Sequence, residues 1–459
     1  MIQGLKRIFS TPELKKKVIF TFLMLIVVRV GAYVPVPGIN GEAALNYFKF
    51  VTKGGQNLLQ LLDLFSGGAF GQMTVIALSI MPYITASIVI QLLVALIPSL
   101  QRDVKENQES GKRKIGKWTR ILATLLSIMQ ATLLARYALQ MNQAHPGIVV
   151  HELFKIQAFG IPWLFYMIVV FTMTTGTLFL IWVGEQITEK GIGNGISLII
   201  ALGIVSQIPS AIGLLVKQLN LGSQTSGQMS LTSILILSIV FVAVIMGTVL
   251  IIQGQKKVPL QYARRISGKN EPNDSSAHLP LKINYAGVIP VIFASSILMF
   301  PATIAQLLGS TLGANWLSQL SQSLYPGTTL YSVIFVLLIL FFTFFWTATQ
   351  FKPEQIASDM KKNGAFIPGV RQGKPTQQYL ESTMNRITLI GAVFLALIAI
   401  LPNIVSKVLN VDMTISHFFG GTSLLILVGV ILDTMQQIDS HLLTDKYDGL
   451  MKRGLSRER

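Results

Sequence analysis

The fold this chain predicts is an all-helical polytopic membrane protein, with ten transmembrane helices in two inverted five-helix halves around a central pore. Three observations predict it. Charge is scarce: 51% of the residues are apolar and 12% are charged, where a soluble domain carries about 25%. Predominantly apolar runs of about 20 residues, the length that crosses the hydrocarbon core as a helix, occur ten times. Two motifs also recur in the same order: P-x-I-x-A-S at Pro82 to Ser87 and Pro290 to Ser295, and G-x-S-L-[IL]-I at Gly195 to Ile200 and Gly421 to Ile426. Ordered recurrence marks a chain built twice, and in membranes two facing copies enclose a pathway.

In chain order the expected spans are Val18 to Val36, Met73 to Ile97, Ile121 to Leu139, Ile161 to Val183 and Ile192 to Val216, then Leu231 to Ile252, Gly287 to Leu308, Leu330 to Thr349, Ile387 to Ile404 and Phe418 to Met435. The first run is too long for a signal peptide and no small-residue cleavage site follows it, so no cleavable leader is expected. Lys and Arg then set the orientation, because they accumulate on the cytoplasmic side. Of the 37, 29 fall on one face and six on the other, which makes both termini cytoplasmic. Arg29 and Arg386 lie in or at the ends of spans; Arg29 is read as snorkelling from the outer end of the first.

Five spans per half is an odd number, so the second half enters the bilayer from the opposite side and the repeat is inverted. P-x-I-x-A-S falls on spans two and seven, G-x-S-L-[IL]-I on spans five and ten, each pair five spans apart. The domain expectation is a cytoplasmic segment at 1–17, a first half at 18–217, a second half at 218–436 and a cytoplasmic tail at 437–459. The second half carries two long cytoplasmic loops, 254–283 and 351–380. About 30 residues is far more than a helix connection requires.

Absences narrow the chemistry. With no cysteine there is no thiolate nucleophile, disulfide or cysteine metal site. His151-Glu152 is followed by Lys155 where a zinc-protease motif would place its second histidine. Ser197 has no histidine deep in a span to activate it, and no phosphate-binding G-x-x-x-x-G-K-[ST] occurs. No catalytic residue, cofactor or metal is expected, and any nucleotide-driven work comes from another protein.

The spans offer isoleucine instead. Ile80 and Ile84 are four apart, as are Ile196 and Ile200, so each pair shares a helical face; Ile292 and Ile426 are the repeat partners of Ile84 and Ile200. If these helices converge, the side chains form an apolar constriction that gates by dewetting, although the pattern alone fits packing or lipid-facing isoleucine as well. Before the second span, Leu58 to Phe70 is apolar enough to enter the bilayer and too short to cross it, and Gly67-Gly68 breaks it. A half-inserted segment needs protein or a water-filled cavity around it, so it reads equally as a stopper or as an interfacial helix.

Longer motifs carry a resemblance. IMPYITASI (Ile80 to Ile88), GEQITEKGIGNGIS (Gly184 to Ser197), AGVIPVIFASSI (Ala286 to Ile297), NGAFIPGVR (Asn363 to Arg371) and FFGGTSLLI (Phe418 to Ile426) resemble the SecY family, the channel subunits of the bacterial protein translocon. The resemblance runs from the first span to the tenth, in order.

It implies an hourglass pore between the halves, with Ile80, Ile84, Ile196, Ile200, Ile292 and Ile426 as its ring. It makes 58–70 a plug whose core is Asp63, Leu64, Phe65, Ser66, Gly67, Gly68 and Ala69. It also implies a side exit into lipid between spans two and three and spans seven and eight. Gln91 and Asn284 fall on polar gate positions there, and Thr85, Ser87, Ser296 and Phe300 line the seam. Amides paired across such a seam would hold it shut by about 0.6 kcal/mol, little enough for an apolar signal helix to offset. The implied location is the bacterial plasma membrane. The implied partners are SecE, SecG, the SecA ATPase, the ribosome, signal peptides and secretory chains, and membrane lipid.

The basic loops would dock the motor and the ribosome, whose RNA offers a phosphate surface, through Arg264, Arg265, Lys361, Lys362 and Arg371; Lys256, Lys257 and Lys374 add charge nearby. Gly364 and Pro368-Gly369 would shape the loop that presents Arg371. The rival readings are an inverted-repeat secondary transporter of a small solute, coupled to an ion, and an intramembrane hydrolase, which needs a dyad the spans do not supply.

Overall fold

The computed structural model describes residues 11–52, 58–101, 108–150, 162–218, 231–262, 277–325, 327–409 and 421–455. Among the described residues, eight helical stretches are long and apolar enough to cross a membrane, as the expected third to tenth spans require, with Gly195–Gly213 counted as one stretch across the break at Gln207. Of the first two expected spans, the first is shifted toward the N-terminus and the second is shortened. α1 (Pro12–Gly31) opens on Lys15, Lys16 and Lys17 before its apolar run, and the short helix α4 (Met81–Leu96) replaces most of the second.

The second span was expected from Met73, but residues 67–80 form successive turns. Their backbone pairs with the strand-like chain that follows α1, where Val36 N–H donates to Met73 O at 3.1 Å and Val75 N–H to Val34 O at 2.9 Å. Those bonds and the Pro82 ring in the first helical turn delay the helix to Met81. Apolar character here reports burial, since Met73, Ile76, Ala77, Leu78 and Ile80 are all buried, and burial does not distinguish a helix from a packed turn.

Between α1 and α4 lie α2 (Gly41–Thr52) and the nine-residue α3 (Leu58–Ser66), too short to span. α5 (Gln108–Ala144) and α6 (Trp163–Lys190) follow. The expected fifth span divides into α7 (Gly195–Ser206) and α8 (Ile208–Gln218). Gln207 caps the first of these, and Pro209 in the next turn cannot continue its ladder. Then come α9 (Leu231–Gln253), α10 (Ile289–Leu312), α11 (Asn315–Ser323), α12 (Thr329–Gln350), α13 (Pro353–Lys362), α14 (Lys374–Leu409) and α15 (Thr422–Leu455).

The spans are all helical, and the extramembrane loops add a small sheet. The two long loops carry β1 (Gln255–Tyr262), β2 (Ala277–Lys282) and β3 (Ala365–Phe366), a small antiparallel sheet in the order β2-β1-β3. Val258 and Leu281 point inward onto Phe351, Met360, Ile367 and Leu380, while Lys256 and Lys257 face out. The sheet therefore fastens the two loops to each other and to the start of α14.

The repeat is visible in the backbone. Ser79 and Gly287 both take left-handed φ, +53° and +59°. Ile80 and Val288 then sit at (−94°, 6°) and (−96°, −4°), and Pro82 and Pro290 occupy the first turns of α4 and α10. Positive φ is rare for a residue with a side chain such as Ser79 and ordinary for glycine; the shared turn, the same cap conformation and the same proline, 208 residues apart, support a common plan for the two segments.

Large apolar side chains cover the outside. Phe171 on α6, Leu235, Ile239, Met246 and Leu250 on α9, Leu337 and Phe341 on α12, and Ile390 and Leu397 on α14 are all exposed. In water this surface would aggregate; against lipid tails it is ordinary. The largest buried cluster lies between α1, α4, α6, α7, α9, α10, α12, α14 and α15, and α3 is packed into it.

Candidate functional site: an apolar constriction and its stopper

The six isoleucines singled out in the sequence meet in this one cluster. Ile80, Ile84, Ile200, Ile292 and Ile426 are buried there, with Ile196 partly buried against it. They arrive from four elements: the cap and second turn of α4, the first turns of α7, the first turn of α10 and the start of α15. Asn194 holds the start of α7 in place, its side chain accepting hydrogen bonds from Ile196 N–H and Ser197 N–H. That cap satisfies donors which the helix ladder leaves free. Branched apolar side chains such as these offer no hydrogen bonds to a neighbouring chain.

The stopper candidate packs into the same cluster. Phe65 and Ala69 belong to it, and Leu64, Ser66 and Gly67 are buried beside them. The helix breaks where the glycine pair predicts: Gly67 and Gly68 have φ of +69° and +89°. Asp63 organises the turn that follows, its Oδ1 accepting from Gly71 N–H at 2.8 Å, while Ser66 Oγ accepts from Phe70 N–H at 2.9 Å. Arg29 does not snorkel. Its guanidinium donates to the Gly67 carbonyl at 2.8 Å and to Tyr33 Oη at 2.7 Å. No sequence signal marks this contact, because the partner is a backbone carbonyl 38 residues away.

Burial pushes the Asp63 carboxyl up to about 6, against the opposing pull of the Gly71 N–H and the Gln207 amide. The sign follows by linkage. Released into water, Asp63 returns to its ordinary value of 3.8, so the docked segment binds the proton more tightly. Docking is favoured most below about 4, and that advantage is lost as pH rises through about 6. Acidifying the side that α3 faces from pH 7.5 to 5 should therefore lower resting ion leak several-fold, and Asp63→Asn should flatten the dependence. Leak that rises on acidification would contradict the buried-carboxylate account.

The six seam residues divide. Thr85, Ser296 and Phe300 line a crevice between α4, α5 and α10, together with Leu62 and Phe70 of the 58–70 segment. Gln130 on α5 and Thr303 on α10 line it too; Gln130 is the one amide within the apolar run Ile121 to Leu139. Gln91, Ser87 and Asn284 are not part of that lining. Gln91 Nε2 donates to Ser87 Oγ at 2.9 Å within its own helix. Asn284 closes a local turn, donating to Gly287 O at 2.7 Å and accepting from Ala286 N–H at 3.0 Å. In this structure each amide donates to a partner on its own stretch of chain, as short-range polar loops allow, while Gln91 Oε1 is buried without a partner.

On the stranded face, β3 pairs with Gln261 and Tyr262 of β1, and Gln372 Nε2 donates to Ala365 O at 3.3 Å. The loop backbone is thereby fixed while Arg371, Lys361 and Lys362 remain exposed. Arg264 and Arg265 lie outside the described residues.

Comparison with known proteins places these features in context. A family model described as SecY matches residues 74–435. The protein translocase subunit SecY of Chlamydia trachomatis serovar D is 58% identical over 449 residues, 98% of each chain. That of Escherichia coli K12 is 40% identical over 441 residues, 96% of this chain and 94% of its own. Two solved structures share the fold. One is described as "The structure of a protein conducting channel", with TM-score 0.60, 20% identity and coverage of 92% and 91% of the two chains. The other is Sec61 in the canine ribosome-channel complex, with TM-score 0.57, 17% identity and the same coverage.

Proposed function

Because the chain belongs to the SecY family, we propose that it is the protein-conducting channel of a Sec translocon. It passes unfolded secretory chains across the plasma membrane and releases apolar segments sideways into lipid. The observation that carries this reading is the convergence of Ile80, Ile84, Ile196, Ile200, Ile292 and Ile426 in one buried cluster that also receives the 58–70 segment. A ring without fixed polar groups tolerates any sequence in transit; a carrier of one small solute would need placed polar contacts to recognise it.

In this reading the six isoleucines are the pore ring, residues 63–69 the plug, and the crevice between α4, α5 and α10 the closed lateral gate. Thr85, Ser296 and Phe300 line that gate, with Gln130 and Thr303 added. The chain performs no covalent chemistry. The two halves, 18–217 and 218–436, sit with both termini in the cytoplasm, which places the stranded face with the exposed Lys361, Lys362 and Arg371 toward the ribosome and the SecA motor. SecE and SecG complete the complex.

A photocrosslinker at Ile84, in vesicles holding the chain with SecE, SecG and SecA, should capture a stalled secretory chain only when ATP is supplied, and a control at the lipid-facing Leu125 on α5 should not. Export without capture at Ile84 would misplace the constriction; saturable small-solute uptake in place of export would favour the transporter. At the docking face, Arg371→Glu should stop motor-driven export while leaving complex assembly intact. The loop's backbone bonds do not use the guanidinium, and Thr376 Oγ1 reaches only the Arg371 carbonyl at 2.7 Å. Normal export by that variant would remove Arg371 from the motor interface.

A further inference from the structure

We infer that Arg29, Ser206 and Gln207 form a latch that holds the C-terminal turn of the 58–70 segment in a niche on α7, and that this latch sets how firmly the channel stays shut at rest. The inference rests on the channel reading above.

The latch has two parts. The polar part converges on the helix break. Arg29 Nη1 donates to Gly67 O at 2.8 Å, and Ser206 Oγ lies 3.3 Å from the same carbonyl while donating to Gly203 O at 2.7 Å. Gln207 Nε2 reaches Asp63 Oδ2 at 3.4 Å and Asp63 O at 3.5 Å. Arg29 is itself held, with its guanidinium carbon 4.6 Å from the centre of the Tyr33 ring and its second nitrogen on Tyr33 Oη. Hydrogen bonds from a charged donor are the stronger kind, and here the acceptor is a carbonyl that the broken helix leaves without a ladder partner.

The apolar part is a contact between backbones. A Cβ on Gly203 would lie 2.7 Å from the Phe65 carbonyl oxygen, and one on Gly67 would lie 2.6 Å from Ser206 Oγ and 3.0 Å from Gly203 Cα. Two glycines thus let the stopper lie directly against α7.

The repeat shows that this niche belongs to the architecture. G-I-S-L-I-I-A-L-G at Gly195–Gly203 and G-T-S-L-L-I-L-V-G at Gly421–Gly429 both place a glycine three residues after the ring isoleucine. In the second copy the hollow is filled by Val288, the residue that precedes α10: a Cβ on Gly429 would lie 2.9 Å from its Cγ2. In the first copy the equivalent hollow receives the stopper. The chain has placed a removable segment in a position that its other half fills with a permanent side chain.

Because the chain contains no cysteine, Leu64→Cys gives a unique thiol at a buried stopper position, 7% exposed. In the assembled complex in vesicles, a membrane-impermeant maleimide supplied from the side that α3 faces should label it slowly. Adding Arg29→Met with Ser206→Ala should accelerate labelling by about ten- to a hundredfold, the worth of a charged hydrogen bond, and Arg29→Lys should recover part of the protection. Gly203→Ala, which keeps every polar partner, should accelerate labelling by displacing the Phe65 carbonyl and serves if the double variant assembles poorly. Slow labelling in all of these would overturn the latch while leaving the stopper in place. Rapid labelling of Leu64→Cys alone would show that the segment is not docked, and would overturn the stopper reading with it.

Discussion

The Ile84→Gly, Ile292→Gly double substitution is expected to make the resting channel conduct small ions while leaving export intact. The two residues are repeat partners, each two positions after a first-turn proline on α4 and α10, and they are 4% and 6% exposed within the central cluster. Removing both side chains forfeits about 3–6 kcal/mol of apolar burial, taking about 1.5–3 for each. At about 1.4 kcal/mol per factor of ten, that shifts the balance between a dry and a wet constriction by about two to four decades.

Glycine also weakens each helix by about 1 kcal/mol, so leak must be separated from unfolding. Ile390→Gly with Leu397→Gly on α14 imposes the same backbone cost at two lipid-facing positions, 67% and 61% exposed. Single-channel recording on counted, assembled complexes should show resting current in the first pair and none in the second. A silent first pair would take Ile84 and Ile292 out of the seal.

That the six isoleucines could be singled out from sequence while the contact of Arg29 could not has a physical cause. Ile84 and Ile292 announce themselves because the chain repeats, and a repeated segment folds to a repeated backbone: the left-handed Ser79 and Gly287 precede the same cap and the same proline. The glycine pair at 67–68 predicts the end of α3 because positive φ is a property of single residues. Arg29 is different. One arginine in an apolar run looks the same whether it reaches for headgroups or for a buried carbonyl, and only the fold brings Gly67 within 2.8 Å.

Residues 73–80 misled for a related reason, since hydropathy measures removal from water and a buried turn is as apolar as a span. The sheet is not legible in the charge pattern of the loops, because its inward pair, Val258 and Leu281, lies 23 residues apart among basic and polar neighbours. The local partners of Gln91 and Asn284, each one turn or less away, are not legible in their family positions either. Across these cases, what a residue imposes on its own backbone was legible, and what it meets across the fold was not.

Gly195→Val should be the most damaging single change of those considered, with assembled complex falling below detection. Gly195 opens α7 directly against α6. A Cβ there would lie 2.7 Å from the Gly184 carbonyl carbon and 2.9 Å from Gly184 Cα, so the obstacle is backbone and no side chain can rotate away. Thr188 fixes the approach from both sides, donating from Oγ1 to Gly184 O at 2.8 Å and accepting from Gly195 N–H at 2.9 Å.

Relief would require tilting α7, which carries Ile196 and Ile200 of the ring and Gly203 of the latch niche, so the damage would reach all three features together. Overpacking among side chains costs about 1–3 kcal/mol, and a clash between two backbones exceeds that range because neither partner has a rotamer to change. Within membranes, where close packing rather than water drives helix association, no hydrophobic gain offsets it. Gly116→Val on α5, where a Cβ meets nothing within 4 Å, is the control and should assemble normally. Both glycines of the tight contact come from one stretch, GEQITEKGIGNGIS, whose first residue and twelfth residue meet face to face. Normal assembly of Gly195→Val, measured as detergent-stable complex on size exclusion, would mean that α6 and α7 stand farther apart than this contact requires.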